Sequence, residues 1–177
     1  AEFVSGPGVR ELEGIGLGWV TLHPRSANQG LSGKADWSQL RRLKEQTRAP
    51  VLASGDLFNA AQGLHCLENT GVDGIMFARG AMDNPAVFAD YLRALSLGET
   101  RESGGYEDLS RRLQAAKRHV ALCRQYAESR KSLLKMRTVL PRYLKGMPRA
   151  REIRSRVVRA KSWEEMEGLL AELSSYA

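Results

Sequence analysis

Val72-Asp73-Gly74-Ile75-Met76-Phe77-Ala78-Arg79-Gly80-Ala81-Met82-Asp83-Asn84-Pro85 decides how the rest of the chain is read. Ile75-Met76-Phe77 is a short apolar run of the kind that forms a parallel strand buried on both faces. It stops at Ala78-Arg79-Gly80-Ala81, where small side chains let backbone amides approach a ligand. Asn84-Pro85 then reads as a helix start, with Asn84 as N-cap and Pro85 at the first helical position. A strand, a small-residue turn bearing one Arg and a helix N-terminus together favour an anion. The same letters also fit a plain strand–turn–helix connection, so the flanking segments must decide.

Both segments upstream repeat the grammar. Pro50-Val51-Leu52-Ala53 is a second apolar strand, tipped by Ser54-Gly55-Asp56 and followed by a helix around Asn59–Asn69. Gly18-Trp19-Val20-Thr21-Leu22 is a third, tipped by His23-Pro24-Arg25-Ser26, with a helix around Trp37–Thr47 capped by Asp36. Three such units predict a parallel sheet with its polar tips gathered at the C-terminal edge, where ligands bind in folds of this type. Three parallel strands do not close a barrel. Downstream of the last tip, Phe88, Tyr91, Leu92 and Leu95 recur at helical spacing and read as core.

With 177 residues, 42% hydrophobic and 27% charged, the chain has the composition of a soluble globular protein with a core of its own. No apolar run reaches the roughly 20 residues that span a bilayer, and no secretory signal is present, so a cytoplasmic location without membrane attachment is expected. Cys66 and Cys123 stand alone in predicted helices without metal-ligand spacing, which reads as free buried thiols and no metal site. The net charge of +7 is uneven: from Arg101 onward there are 18 Lys and Arg against 9 Asp and Glu. A basic half fits a polyanionic partner such as nucleic acid, and equally a solvated Arg-rich helical surface.

Glu99–Gly105 is polar, glycine-bearing and without periodicity, and divides the chain into residues 1–98 and 99–177. Beyond it everything reads as helix: Tyr106–Glu128, Ser132–Lys145 with a break near Pro141 and a stop at Gly146, Pro148–Ala160, and Trp163–Leu173. Ser162 followed by Glu165 forms a capping box for the last of these. The fold expected is an α/β partial TIM barrel followed by an all-α helical bundle.

Four stretches in order, Leu22–Ser26, Gln29–Trp37, Pro50–Asp56 and Arg79–Pro85, resemble the tRNA-dihydrouridine synthases. Tyr143-Leu144-Lys145-Gly146-Met147-Pro148 and Ala160-Lys161-Ser162-Trp163-Glu164-Glu165 resemble the helical domain of that family. The resemblance implies an FMN enzyme of tRNA processing that reduces uridine to 5,6-dihydrouridine with NADPH as reductant. It implies that residues 1–98 are the C-terminal portion of the flavin-binding barrel and that residues 99–177 grip tRNA. It assigns His23, Ser54, Gly55, Asp56, Ala78, Arg79 and Gly80 to the cofactor, and Arg137, Arg142 and Lys145 to RNA. The family's catalytic Cys matches neither Cys66 nor Cys123, so no catalytic residue is expected in this chain and it is expected to be inactive alone. Ser54 stands where the family usually has Asn, Ala78 where it has Gly, and Thr138-Val139 where it often has Lys-His. Two other readings stay open: an RNA-binding module with a vestigial half-barrel and no chemistry, and another FMN barrel oxidoreductase.

Overall fold

The computed structural model describes residue 11 and residues 14–30, 32–98 and 106–175; the Glu99–Gly105 boundary lies outside the described residues. The chain divides into two compact units, Ala1–Ala81 with Val87–Thr100, and Met82–Ala86 with Arg101–Ala177.

The first unit is built on three parallel strands, β1 (Val20–Leu22), β2 (Val51–Ala53) and β3 (Gly74–Ile75), in the order β1-β2-β3. Val20 pairs with Val51, Leu22 with Ala53, and Ala53 with Ile75, so the three chains end at one edge. Four helices follow the strands: α1 (Ser38–Gln46), α2 (Ala60–Thr70), α3 (Arg79–Asp83) and α4 (Val87–Leu97). Leu40 and Leu43 of α1 and Cys66 of α2 join Val51, Ala53 and Phe77 in one buried cluster. The opposite end of the sheet is tied by Asp73, whose carboxylate accepts from the Val51 N–H at 2.7 Å and from Lys44 of α1.

Three local details depart from the sequence reading. β3 ends at Ile75, because Met76 faces outward and Phe77 turns into the core on the way to α3. The helix expected at Asn84-Pro85 begins at Val87, with Asn84 accepting the Ala86 N–H at 3.1 Å. The larger departure concerns α4, where Val87, Tyr91 and Ala94 are buried while Phe88, Leu92 and Leu95 are 50%, 63% and 46% exposed. Both sets follow the i, i+4, i+7 spacing, one residue out of phase, and sequence alone does not say which stripe α2 covers. The Tyr91 stripe wins, with Tyr91 edge-on to Phe77 at 5.4 Å.

The second unit holds α5 (Tyr106–Ala127), α6 (Arg130–Tyr143), α7 (Ala150–Val157) and α8 (Trp163–Ser174) around one apolar cluster. Leu113, Ala116 and Val120 of α5 meet Met136 and Leu140 of α6, Ile153 of α7 and Met166 and Leu170 of α8. Ser129 caps α6 by accepting the Ser132 N–H, and Ser162 caps α8 by accepting the Glu165 N–H. Pro141 does not break α6, which continues to Tyr143. Arg112 Nη2 donates to the carbonyls of Tyr143 (2.8 Å) and Lys145 (2.9 Å), closing that helix end, and Gly146 follows in the left-handed region at φ +83°. Among the described residues no helix is long and apolar enough to cross a membrane.

The phase of α4 is testable by denaturation of the chain. Leu92→Ser is expected to change stability by no more than about 0.5 kcal/mol, whereas Tyr91→Ala should cost about 3 kcal/mol or more. Equal costs at both positions would place the wrong stripe inside.

Candidate functional site

At the C-terminal edge the chain leaves β2 through Ser54 and makes two consecutive left-handed residues, Gly55 at φ +106° and Asp56 at φ +55°. A side chain at Gly55 would be strained by that φ and would stand 3.0 Å from Ala35 Cβ. Asp56 tolerates the left-handed region better than most residues, because its short polar side chain bonds locally. The turn folds the carboxylate back between two strand tips. Arg25 Nη2 donates to it at 2.6 Å, Arg79 Nη2 at 2.8 Å, and the Ala35 N–H at 2.7 Å. One carboxylate between two guanidinium groups leaves the cluster with a net positive charge.

Arg25 is the most enclosed of the three, its side chain only 4% exposed. Its other donors reach the carbonyls of Ser32 (2.7 Å) and Gly33 (3.0 Å) and so hold the loop that leads into α1. Asp36 then receives the Ser38 N–H at 3.1 Å, and Trp37 donates Nε1 to the Gly55 carbonyl at 3.1 Å. The guanidinium of Arg79 lies over the Phe58 ring, 5.0 Å from its centre. Burial alone would raise the Asp56 pKa, but hydrogen bonds from Arg25 and Ala35 and the charges of Arg25 and Arg79 bring it below its ordinary value. His23 Nδ1 lies 3.2 Å from the buried Ser54 hydroxyl.

The sequence-predicted cofactor residues do meet around one small cleft, lined by His23, Gly55, Asp56, Ala78 and Arg79 with Leu57, Phe58 and Met76. Ser54 and Gly80 do not line it, Gly80 for a packing reason. This glycine is buried against the segment before α2, where a Cβ would lie 2.6 Å from the Leu57 carbonyl and 2.7 Å from Phe58 Cα, so its small size serves packing within the protein. Ser54 is 3% exposed and reaches the site through His23. The role of Arg25 as organiser of the loop was not read from sequence. Its only signal was its place in the same tip as His23, because its partners Ser32, Gly33 and Asp56 lie up to 31 residues away.

The three residues expected to face RNA separate. Arg142 and Lys145 are exposed and continue a line of exposed cations with Lys131 and Lys135, spaced i, i+4, i+11 and i+14. Arg137 lies off that line, half-buried, with Nε donating to the Ala160 carbonyl at 2.7 Å. His119 turns inward to the Tyr143 hydroxyl at 3.0 Å. Cys66 is fully buried in α2 with its thiol pushed up by burial, and Cys123 is half-buried in α5. No group of three or more His, Cys, Asp or Glu suited to a metal ion occurs among the described residues.

The edge of this sheet is that of a parallel βα protein whose strand tips set two guanidinium groups around one carboxylate. Residues 8–175 match the family model for dihydrouridine synthase (Dus), and the chain belongs to that family. It is similar to a probable tRNA-dihydrouridine synthase 1 of Synechocystis sp., 30% identical over 95% of this chain and 46% of that protein. A probable tRNA-dihydrouridine synthase of Mycobacterium leprae is 33% identical over 93% of the chain and 42% of its own length. One from Aquifex aeolicus is 28% identical over 89% and 48%. The chain therefore spans less than half the length of these relatives.

Replacing Asp56 by Asn leaves Arg25 buried without its counter-ion and is expected to cost about 2–3 kcal/mol. Because the folded-state pKa of Asp56 lies below its unfolded value, its stabilisation is present above the unfolded pKa and is lost as pH falls through the folded one. The parent chain should therefore lose stability below about pH 4 more steeply than Asp56→Asn in acid-unfolding curves.

Proposed function

We propose that this chain serves in the flavin-dependent reduction of uridine to 5,6-dihydrouridine in tRNA, its strand tips holding the flavin phosphate and its second unit holding tRNA. The observation that carries this reading is the Asp56 carboxylate set between Arg25 and Arg79 at the strand tips of a chain that belongs to the dihydrouridine synthase family. The residues fit an FMN phosphate. Two cations face one carboxylate, and Arg79 gives one nitrogen to Asp56 while its remaining donors have no partner among the described residues. FMN, when bound, supplies the hydride for the uracil C5–C6 bond and is recharged by NADPH. The chain's own residues bind and orient. Arg79 neutralises the phosphate, Asp56 keeps both guanidinium groups in place, and His23, steadied by Ser54, offers a hydrogen bond to the polar edge of flavin or uracil.

Neither thiol stands at this rim, so the proton for the reduced base is not supplied by Cys66 or Cys123. The 177-residue chain alone, given FMN, NADPH and unmodified tRNA, is expected to form no dihydrouridine by mass spectrometry of the nucleosides. Phosphate and FMN should bind it weakly, and Arg79→Met should weaken both by about tenfold or more in calorimetric titration. FMN binding that is unchanged by Arg79→Met would refute the assigned rim.

In the second unit the exposed line Lys131, Lys135, Arg142 and Lys145 is the surface on which we place tRNA. If about four phosphates are neutralised, log affinity should fall with log salt at a slope of roughly −3 to −4. Arg142→Glu with Lys145→Glu should weaken tRNA binding at least about tenfold with helical content unchanged. Arg137→Glu acts otherwise, lowering stability first, because it removes the bond to Ala160. A salt-independent interaction, or none, would leave the solvated Arg-rich helical surface in its place.

A further inference from the structure

Where α6 and α8 begin, the second unit has an opening of about 710 Å³ to which the proposed function gives no role. Arg130, Leu133, Leu134 and Arg137 of α6 form one wall, and Lys161 with Trp163 at the start of α8 forms the other. Arg130, Leu134 and Arg137 recur at i, i+4 and i+7 and so share one side of α6. Lys131, Lys135, Arg142 and Lys145 do not line the opening, which sets it apart from the row of cations on which tRNA is placed.

Three features select its occupant. The first is cationic donors to spare. Arg137 Nε donates to the Ala160 carbonyl at 2.7 Å, which holds the side chain while Nη1 and Nη2 have no partner among the described residues. Arg130 and Lys161 are exposed and their side chains form no ion pair among the described residues. The second feature is that the opening's own acceptors are engaged. Arg124, outside the lining, donates to Glu164 and has its Nε 4.0 Å from Glu128, while the Ser129 and Ser162 hydroxyls accept the Ser132 and Glu165 N–H groups. The third is an apolar floor, with Leu133 buried and Leu134 45% exposed in an opening that holds three cations. Trp163 closes it, only 6% exposed. Its indole N–H has no acceptor among the described residues, yet it is not sealed from solvent.

We propose that this opening docks a short acidic segment of a partner protein, one that carries an apolar side chain next to its carboxylates. With Nε engaged, Arg137 presents Nη1 and Nη2 end-on, a pair that forks onto one carboxylate, and Arg130 and Lys161 flank a second. Leu133 and Leu134 take the apolar side chain, and the Trp163 N–H donates to a peptide carbonyl. An apolar patch with arginine around it is the composition of a protein-docking surface. RNA is the poorer match. It brings a charge at every residue and meets the exposed Glu128 and Glu164, whereas a peptide sets one or two carboxylates on the cations alone. The nearly enclosed Trp163 ring also offers no face on which a base could stack.

The test uses the full chain and a short, end-blocked peptide of alternating Asp and Leu. Its controls are the same peptide with Asn for Asp, and an oligoaspartate of equal length. Followed by the shift of the Trp163 indole N–H in ¹H–¹⁵N spectra, the Asp–Leu peptide should bind with a Kd of about 0.1–1 mM, and each control about tenfold more weakly. Arg130, Leu134 and Lys161 are exposed, so Leu134→Ser, and Arg130→Gln combined with Lys161→Gln, are expected to keep the fold, which the same spectra check. Each variant should weaken peptide binding about fivefold or more. The proposal is overturned if both variants bind the peptide as the parent does, if either control binds as well as the Asp–Leu peptide, or if no binding is seen at about 5 mM. It is overturned too if a short oligouridylate displaces the peptide, which would make the opening an RNA contact.

Discussion

The first unit depends on the carboxylate of Asp56 more than on any other polar group. It stands in the connection after β2 and accepts from Arg25 and the Ala35 N–H in the connection after β1 and from Arg79 after β3. Strands this short, two or three residues each, leave the tips poorly held by ladder hydrogen bonds. An ion cluster that is mostly enclosed does the holding instead. Arg25 is deeply buried, so its charge is tolerable only with Asp56 present. The left-handed backbone at Gly55 and Asp56 is the local strain that makes the arrangement possible.

In the function proposed here, the same cluster lets the rim serve an anion without collapsing onto one. Asp56 shares Arg25 with the Ser32 and Gly33 carbonyls and takes one nitrogen of Arg79, so Arg79 keeps spare donors over Phe58. Preorganised charge of this kind needs little rearrangement when a ligand enters. In the second unit the arginines divide between two jobs. Arg112 and Arg137 close helix ends and join elements through backbone carbonyls, and Arg124 pairs with Glu167 at 2.7 Å. Lys131 and Lys135 stay on the exposed face of α6, and Arg142, exposed there too, pairs with Asp83 at 3.4 Å.

Much of this was legible in the residues themselves. Val51–Ala53 and the apolar run at Ile75 announced strands, the capping box of Ser162 and Glu165 announced the last helix, and the repeated strand–tip–helix order announced a parallel sheet. The tips also named most of the site, since His23, Gly55, Asp56 and Arg79 line one cleft. Each of these signals lives within a few residues of chain, set by local backbone geometry and by the period of one element.

What only the tertiary structure decided were choices between equals and pairings at a distance. α4 carries two apolar stripes of the same period, and contact with α2 selected Tyr91 over Leu92. At Gly80 a Cβ would meet Leu57 and Phe58, a packing need for a small residue that the sequence does not distinguish from the close approach of a ligand. Arg137 and Arg142 read alike, yet one bonds a backbone carbonyl 23 residues away and the other pairs on the surface with Asp83. Asp56 could be named as a tip residue, but not as the partner of both Arg25 and Arg79. Periodicity specifies a face and a tip specifies an edge; which groups then meet depends on long-range packing, for which a single sequence carries no local signal.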